Sequence, residues 1–164
     1  MDIGRIVVFG VLAALGLGCS SVTPASFRAE APALSKPWPG EILVTPSYAD
    51  DPMSHFNANG MTFDVNLDQF SEQLAALVAE SLEKSGATIG SGDRSMKIQV
   101  VYMDYMFQGP CIFDYTVRLG NGDVFGQQAT GPSKMFTTAC TRALESAAQN
   151  ILLDARIVAY LGGE

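Results

Sequence analysis

This sequence predicts an α+β fold, a two-layer sandwich with two helices on one face of a mixed sheet. Three observations carry the prediction. Apolar residues recur every three or four positions over 67–85 and again over 133–161, which marks two helices that each bury one face. Over 95–119, apolar and polar side chains alternate with the two-residue period of a half-buried strand pair. A short apolar run at 41–45 precedes the first helix, and a poorer run at 123–130 follows the strand pair, so the order reads β-α-β-β-β-α.

The chain opens with MDIGRIVVFGVLAALGLGCSS. Arg5 is the one side-chain cation of a short leading region, 6–18 is an apolar run too short to span a bilayer, and Gly16-Leu17-Gly18 puts small residues ahead of Cys19. This is the shape of a cleavable secretory signal. The cysteine directly after the small residues, followed by Ser20-Ser21, resembles the lipobox of bacterial lipoproteins. That resemblance covers only this segment. It implies a diacylglycerol on the Cys19 thiol, cleavage before Cys19, and an acylated new amine. Gly16 stands where the family prefers Leu, and Asp2 offsets Arg5. Ser20 after the cysteine resembles lipoproteins passed on to the outer membrane. Two other readings of the segment are an ordinary signal cut near Cys19 and an uncleaved anchor.

Residues 1–18 are therefore expected as the signal, 19–39 as a lipidated cysteine and tether, and 40–164 as one α+β domain. Removing the signal leaves about 145 of the 164 residues, the size of one domain with one core. Ten Lys and Arg against seventeen Asp and Glu give a net charge of −7, with no basic cluster. That balance argues against nucleic acid and against a polybasic grip on anionic lipid. Of three cysteines, Cys19 is reserved for lipid, leaving Cys111 and Cys140 as an even pair in an exported chain. Both fall on inward faces, by strand and helix periods respectively, and are expected to form a disulfide.

Residues 20–39, rich in Pro, Ala and Ser without an apolar period, read as an extended tether reaching roughly 3.1 Å per residue. Trp38 between two prolines is where packing on the domain begins. The first strand, 41–45, is bounded by Gly40 and Pro46. Residues 46–64 read as a long loop in which Asn59-Gly60 could close a small hairpin. The first helix places Leu67, Phe70, Leu74, Leu77, Val78 and Leu82 on one face, with Asn66 as N-cap, Lys84 in the last turn and Gly86 as the stop.

The next strand begins with Met96, Ile98 and Val100 inward, then turns apolar on both faces through Val101, Tyr102, Met103, Tyr105 and Phe107. Cys111, Phe113, Tyr115, Val117 and Leu119 line one face of its partner. Asn121-Gly122 predicts a two-residue turn setting Leu119 opposite Val124. The strand at 123–130 carries Gly126 and reads as an edge. Ser133 is expected to cap the last helix, whose inner stripe runs through Phe136, Cys140, Ala143, Ala147, Ile151 and Val158 to a stop at Gly162-Gly163. Its many alanines imply a close approach to the sheet.

Chemistry-bearing motifs are few. His55 lies near Asp50, Asp51 and Ser54, but neither metal-ligand nor nucleophile–base spacing is present, and a solvated turn is the better reading. The glycines of GATIGSGD lack the following Gly-Lys-Ser/Thr of a phosphate loop and read as a helix exit. Asp114 and Arg118 on one strand face read as an exposed ion pair. No cofactor or metal motif stands out. The run from 101 to 107 has two readings. It is a central strand covered on both faces, or Tyr102, Met103, Tyr105 and Phe107 form an exposed patch for a partner or a lipid chain.

Small α+β domains behind a Pro-rich tether resemble envelope lipoproteins in general layout, among them auxiliary lipoproteins of ABC-type lipid transporters. The expectation is a non-enzymatic, periplasm-facing lipoprotein that serves as accessory or binding subunit of an envelope assembly, outer-membrane anchored, with an envelope protein as partner. The alternative is a small-molecule or lipid carrier with a pocket between the sheet and the 46–64 loop.

Overall fold

The computed structural model describes residues 20–23, 27, 29–34, 37–58, 60–90 and 92–162. The signal segment and Cys19 lie outside them. The expected class holds: an α+β sandwich in which a mixed five-stranded sheet carries its helices on one face. The element list is longer than expected. It runs β1 (Ser20–Val22), β2 (Gly40–Pro46), β3 (Met53–Ala58), β4 (Met61–Asn66), α1 (Leu67–Lys84), β5 (Ala87–Ile89), β6 (Ser95–Tyr105), β7 (Cys111–Leu119), β8 (Val124–Gly131), α2 (Phe136–Leu153) and α3 (Ala155–Gly162). The main sheet has the order β5-β2-β6-β7-β8, with β2 parallel to β5 and β6 and the rest antiparallel. A second sheet, β1-β4-β3, stands apart from it.

α1 forms as its sequence predicts. Asn66 Oδ1 accepts from the Asp68 and Gln69 N–H groups at 3.0 and 3.3 Å, filling two of the donors a helix start leaves open. Phe70, Leu74, Val78 and Leu82 are fully buried on its inner face. Each such side chain contributes roughly 1.5–3 kcal/mol on burial. Ser71, also fully buried, donates to the Leu67 carbonyl and accepts from the Val100 N–H at 2.8 Å, which ties the helix to β6.

The alanines of α2 serve the close approach expected of them. Ala139, Ala143, Ala147 and Ala148 are fully buried, and a methyl added to Gly131 on β8 would overlap the Ala139 carbonyl and the Ala143 nitrogen. Larger side chains at this seam would push helix from sheet.

Several expectations are corrected. The segment from 46 to 64 is mostly the β3–β4 hairpin rather than open loop; it turns where the Asn-Gly pair suggested, with Gly60 at φ 75°, and Phe56 and Phe63 stack within it at 5.1 Å between ring centroids. The 87–94 region holds the short edge strand β5 as well as a turn. In the β7–β8 hairpin Val124 pairs with Arg118, not Leu119, because the loop is one residue longer and ends on Gly122 at φ 97°. Ser133 accepts from the Met135 N–H in the turn before α2 and does not cap the helix. The last helix is two helices, broken at Asp154, whose carboxylate accepts from the Arg156 N–H and starts α3. The break shifts the phase, so Ile157 and Leu161 turn inward and Val158 is 41% exposed.

The tether is the largest correction. Its described residues pack as a strap over the helices. β1 joins β4, and Phe27 is buried against Phe70 and Phe136 at 5.6 and 5.7 Å between ring centroids. The Glu30 N–H donates to Glu145 on α2, and the Trp38 N–H donates to the Ser85 carbonyl beyond α1. Enough apolar side chains are spaced along this segment to bury, although they follow no helical or strand period.

Candidate functional site

The run that the sequence leaves with two readings is resolved by a β-bulge. Pairing of β6 with β7 is regular through Val100↔Tyr115, then slips so that Tyr102 faces Asp114. The extra residue puts Val101 and Tyr102 together on the outer face, each 44% exposed, and returns Met103 and Tyr105 to the core. β6 is thus a central strand whose outer face is not covered, and of the four patch residues only Tyr102 and Phe107 are exposed. Met103 and Tyr105 do not belong to an exposed surface; they are 0% and 5% exposed. Tyr102 lies on the open face of the sheet, and Phe107 lies in the β6–β7 loop, 54% exposed.

Register places the neighbours of Tyr102. The outer face of the sheet, away from the helices, carries Lys97 opposite Arg118, Gln99 opposite Thr116, Tyr102 opposite Asp114, and Asp104 opposite Ile112. Charge is thus segregated along it, two cations toward the Ser95 end and two carboxylates toward the Tyr105 end, with Val101 and Tyr102 between. Like charges directly opposite each other are unfavourable in a sheet. Among the described residues, neither Lys97 nor Arg118 forms an ion pair. Asp114 accepts from Gln128 on β8 at 2.7 Å rather than pairing with Arg118 as the sequence suggested. Leu43 and Val124, 39% and 51% exposed, add apolar area at the cationic end. The Tyr102 phenol is held above its usual pKa of 10.0 by lost hydration first, then by the Asp104 and Asp114 carboxylates, so it remains a neutral donor.

The other end of the sandwich is organised by Phe136. Its ring lies 4.9 Å from Tyr105, 5.7 Å from Phe56 and 5.8 Å from Phe63, joining β6, the small sheet and α2. The Tyr105 hydroxyl donates to the Lys134 carbonyl at 3.2 Å. A disulfide between Cys111 and Cys140 closes the same end, with Cα atoms 4.9 Å apart, as the two inward periods predict. Beyond this cluster the β6–β7 loop turns through Gln108 at φ 55° and leaves Met106 57% exposed beside Phe107.

Opposite that end, at the α2–α3 joint, a polar chain runs from the core to the surface. Burial pushes the Tyr115 phenol up to about 12, and its hydroxyl donates to Gln127 Oε1. Gln127 donates in turn to Asp154, which is held by Arg156, whose guanidinium lies 3.8 Å over the Phe125 ring. This chain fastens α3 to the edge strand. An open groove of about 880 Å³ lies between strap residues Leu34, Pro37, Trp38 and Pro39 and the α2–α3 helices, with Leu152 and Leu161 among its apolar walls and Arg94 as its cation.

His55 pairs across the hairpin with Asp64, Nδ1 to Oδ1 at 2.7 Å, in a solvent-exposed position. It does not gather Asp50, Asp51 or Ser54 around it in hydrogen bonds. Among the described residues, no group of three His, Cys, Asp or Glu side chains is placed to hold a metal. No helix among them is long and apolar enough to cross a membrane.

The alternation set Lys97 and Arg118 outward, as the register shows, but sequence reasoning did not include them or Val101 in the candidate surface. For Val101 a signal was present: two apolar residues in succession, Val100-Val101, after which the inward positions change from even to odd numbers.

No protein-family profile matches the sequence, and no curated protein does. Among solved structures, the chain is similar to a Xanthomonas campestris protein of the family DUF330, at 18% identity over 89% of this chain and 96% of that one, with a TM-score of 0.51. A weaker likeness is to the PelC dodecamer of Paraburkholderia phytofirmans, at 14% identity over 81% and 92% of the two chains, with a TM-score of 0.39. The first likeness is one of fold.

Proposed function

We propose that this chain is a non-enzymatic accessory subunit of a bacterial envelope assembly, anchored through lipid on Cys19, and that the open face of its main sheet is the surface that meets a protein partner. The bulge at Val101 and Tyr102 carries the reading. A helix-covered sheet gains nothing for its own core by turning two adjacent large side chains outward, whereas such side chains suit a contact that excludes water. The unpaired Lys97 and Arg118 at one end, and Asp104 and Asp114 at the other, would fix the partner's orientation more than its affinity.

The test is a pair of substitutions on that face. Val101→Asp with Tyr102→Asp should abolish recovery of a stoichiometric partner from solubilised envelope, with thermal unfolding of the domain little changed. Retention of the partner would remove this face from the account. The anchor is tested separately: Cys19→Ser should release the protein from membranes or leave it as uncut precursor.

A second reading, a carrier of a small amphiphile, draws support from the groove beside Trp38, whose apolar walls and Arg94 suit an acyl chain with an anionic head. Lipid retained by the purified protein in native mass spectrometry, and lost with Val158→Asp at a half-exposed position of the groove wall, would favour it.

A further inference from the structure

β1 begins at Ser20 in register with Phe63, and it runs parallel to β4. Moving back along the chain from Ser20 therefore moves toward Met61 at the tip of the hairpin. Cys19 is one peptide away, about 3.8 Å between Cα atoms. No length of free chain separates the lipid-bearing residue from the fold.

Exposed apolar side chains gather at this same end. Phe63 touches Phe136, Phe136 touches Tyr105, and Tyr105 bonds the Lys134 carbonyl. The neighbours of these contacts, Met61, Met106, Phe107 and Met135, are 50, 57, 54 and 66% exposed. The segments that bring them there, 20–23, 58–62, 106–110 and 132–138, contain no Asp or Glu, in a chain that has seventeen, and carry Lys134 as their one cation. The carboxylates toward this end, Asp104 and Asp114, lie on the open sheet face and not on the tips; flexible methionines and a phenylalanine on separate tips suit the boundary of headgroups and acyl chains.

We infer that this end of the domain rests on a lipid surface, with Met61, Met106, Phe107 and Met135 entering the interface around the acylated Cys19. The inference rests on the lipid-anchor reading and adds to it that the domain stands directly on the bilayer. β6 then points its Tyr105 end at the membrane, and the open sheet face looks sideways, free for a partner.

The acylated protein, reconstituted in vesicles of phosphatidylethanolamine and phosphatidylglycerol, decides this. Phe107→Cys, Met135→Cys and Asn121→Cys variants are labelled singly with a small polarity-sensitive fluorophore, the native pair Cys111 and Cys140 being held in the disulfide. Labels at 107 and 135 should shift to the blue and be quenched by lipid spin-labelled near the headgroup. The label at 121, at the opposite end of the sheet, should remain as in water. Unquenched labels at 107 and 135 in protein whose intact mass includes acyl chains would overturn the docking and leave the anchor standing. Equal quenching at all three sites would also overturn it. A mature protein without acyl mass would end both.

Discussion

Ser20 stands opposite Phe63 in a parallel ladder, so the residue that follows Cys19 already belongs to a strand. A Pro/Ala/Ser-rich stretch at this position would ordinarily be read as a spacer. Here it is a strap, and Phe27, at 4% exposure, is the deepest of its described residues. Phe27→Ala should therefore destabilise the domain by about 3–5 kcal/mol, the usual cost of truncating a core aromatic. Denaturant unfolding measures it. A loss near zero would restore the free tether.

The bridge between Cys111 and Cys140 closes a loop with a sequence separation of 29. On the chain-entropy estimate that closure contributes about 3.5 kcal/mol, a large part of a domain's net stability. Alkylation of the denatured, unreduced protein should modify neither cysteine, and reductant should expose both. Two modified thiols before reduction would refute the bridge.

Tyr102 and Tyr105 differ by three positions and should behave oppositely. Tyr105→Ala removes a ring packed against Phe136 and a hydrogen bond to Lys134, at a cost of about 3–5 kcal/mol. Tyr102→Ala, on the open face, should change stability by no more than about 0.5 kcal/mol. Urea midpoints of the two variants check this. Equal losses would mean that the bulge does not separate the two side chains in solution.

At the α2–α3 joint, hydrogen bonds from Arg156 hold the Asp154 carboxyl below its ordinary pKa of 3.8, against the opposing effect of burial. A carboxyl with a depressed folded pKa stabilises the protein above its unfolded value, and that contribution is lost as pH falls through the folded value. Asp154→Asn keeps the shape and drops the charge. Its urea midpoint should lie below that of the parent at neutral pH, and the gap should close as pH falls below about 4. A gap independent of pH would assign Asp154 a purely packing role.

Much of the fold was legible where one local rule dominates. Asn66 and the stripe from Phe70 to Leu82 specify α1 without outside help, and the alternation from Cys111 to Leu119 specifies β7. What escaped depends on partners distant in sequence. β1 and β5 have three residues each and exist only because β4 and β2 offer them a ladder. Phe27 has no period around it, and its place is defined only by residues of two distant helices, Phe70 of α1 and Phe136 of α2. The break at Asp154 hid inside a stripe that reads as continuous helix, because an aspartate serves equally as a surface residue and as a cap. The candidate patch was half legible for a related reason: its composition marked it as unusual, but which residues face out depends on a one-residue slip against β7.

The claim that the open face of the sheet meets an envelope partner is tested most directly by photo-crosslinking in living cells from position 102, with position 83 on the outer side of α1 as the control. The account predicts one dominant protein adduct from position 102, identified by mass spectrometry, weakened by Lys97→Glu and absent from position 83. No protein adduct from position 102, or the same adducts from both positions, would contradict it.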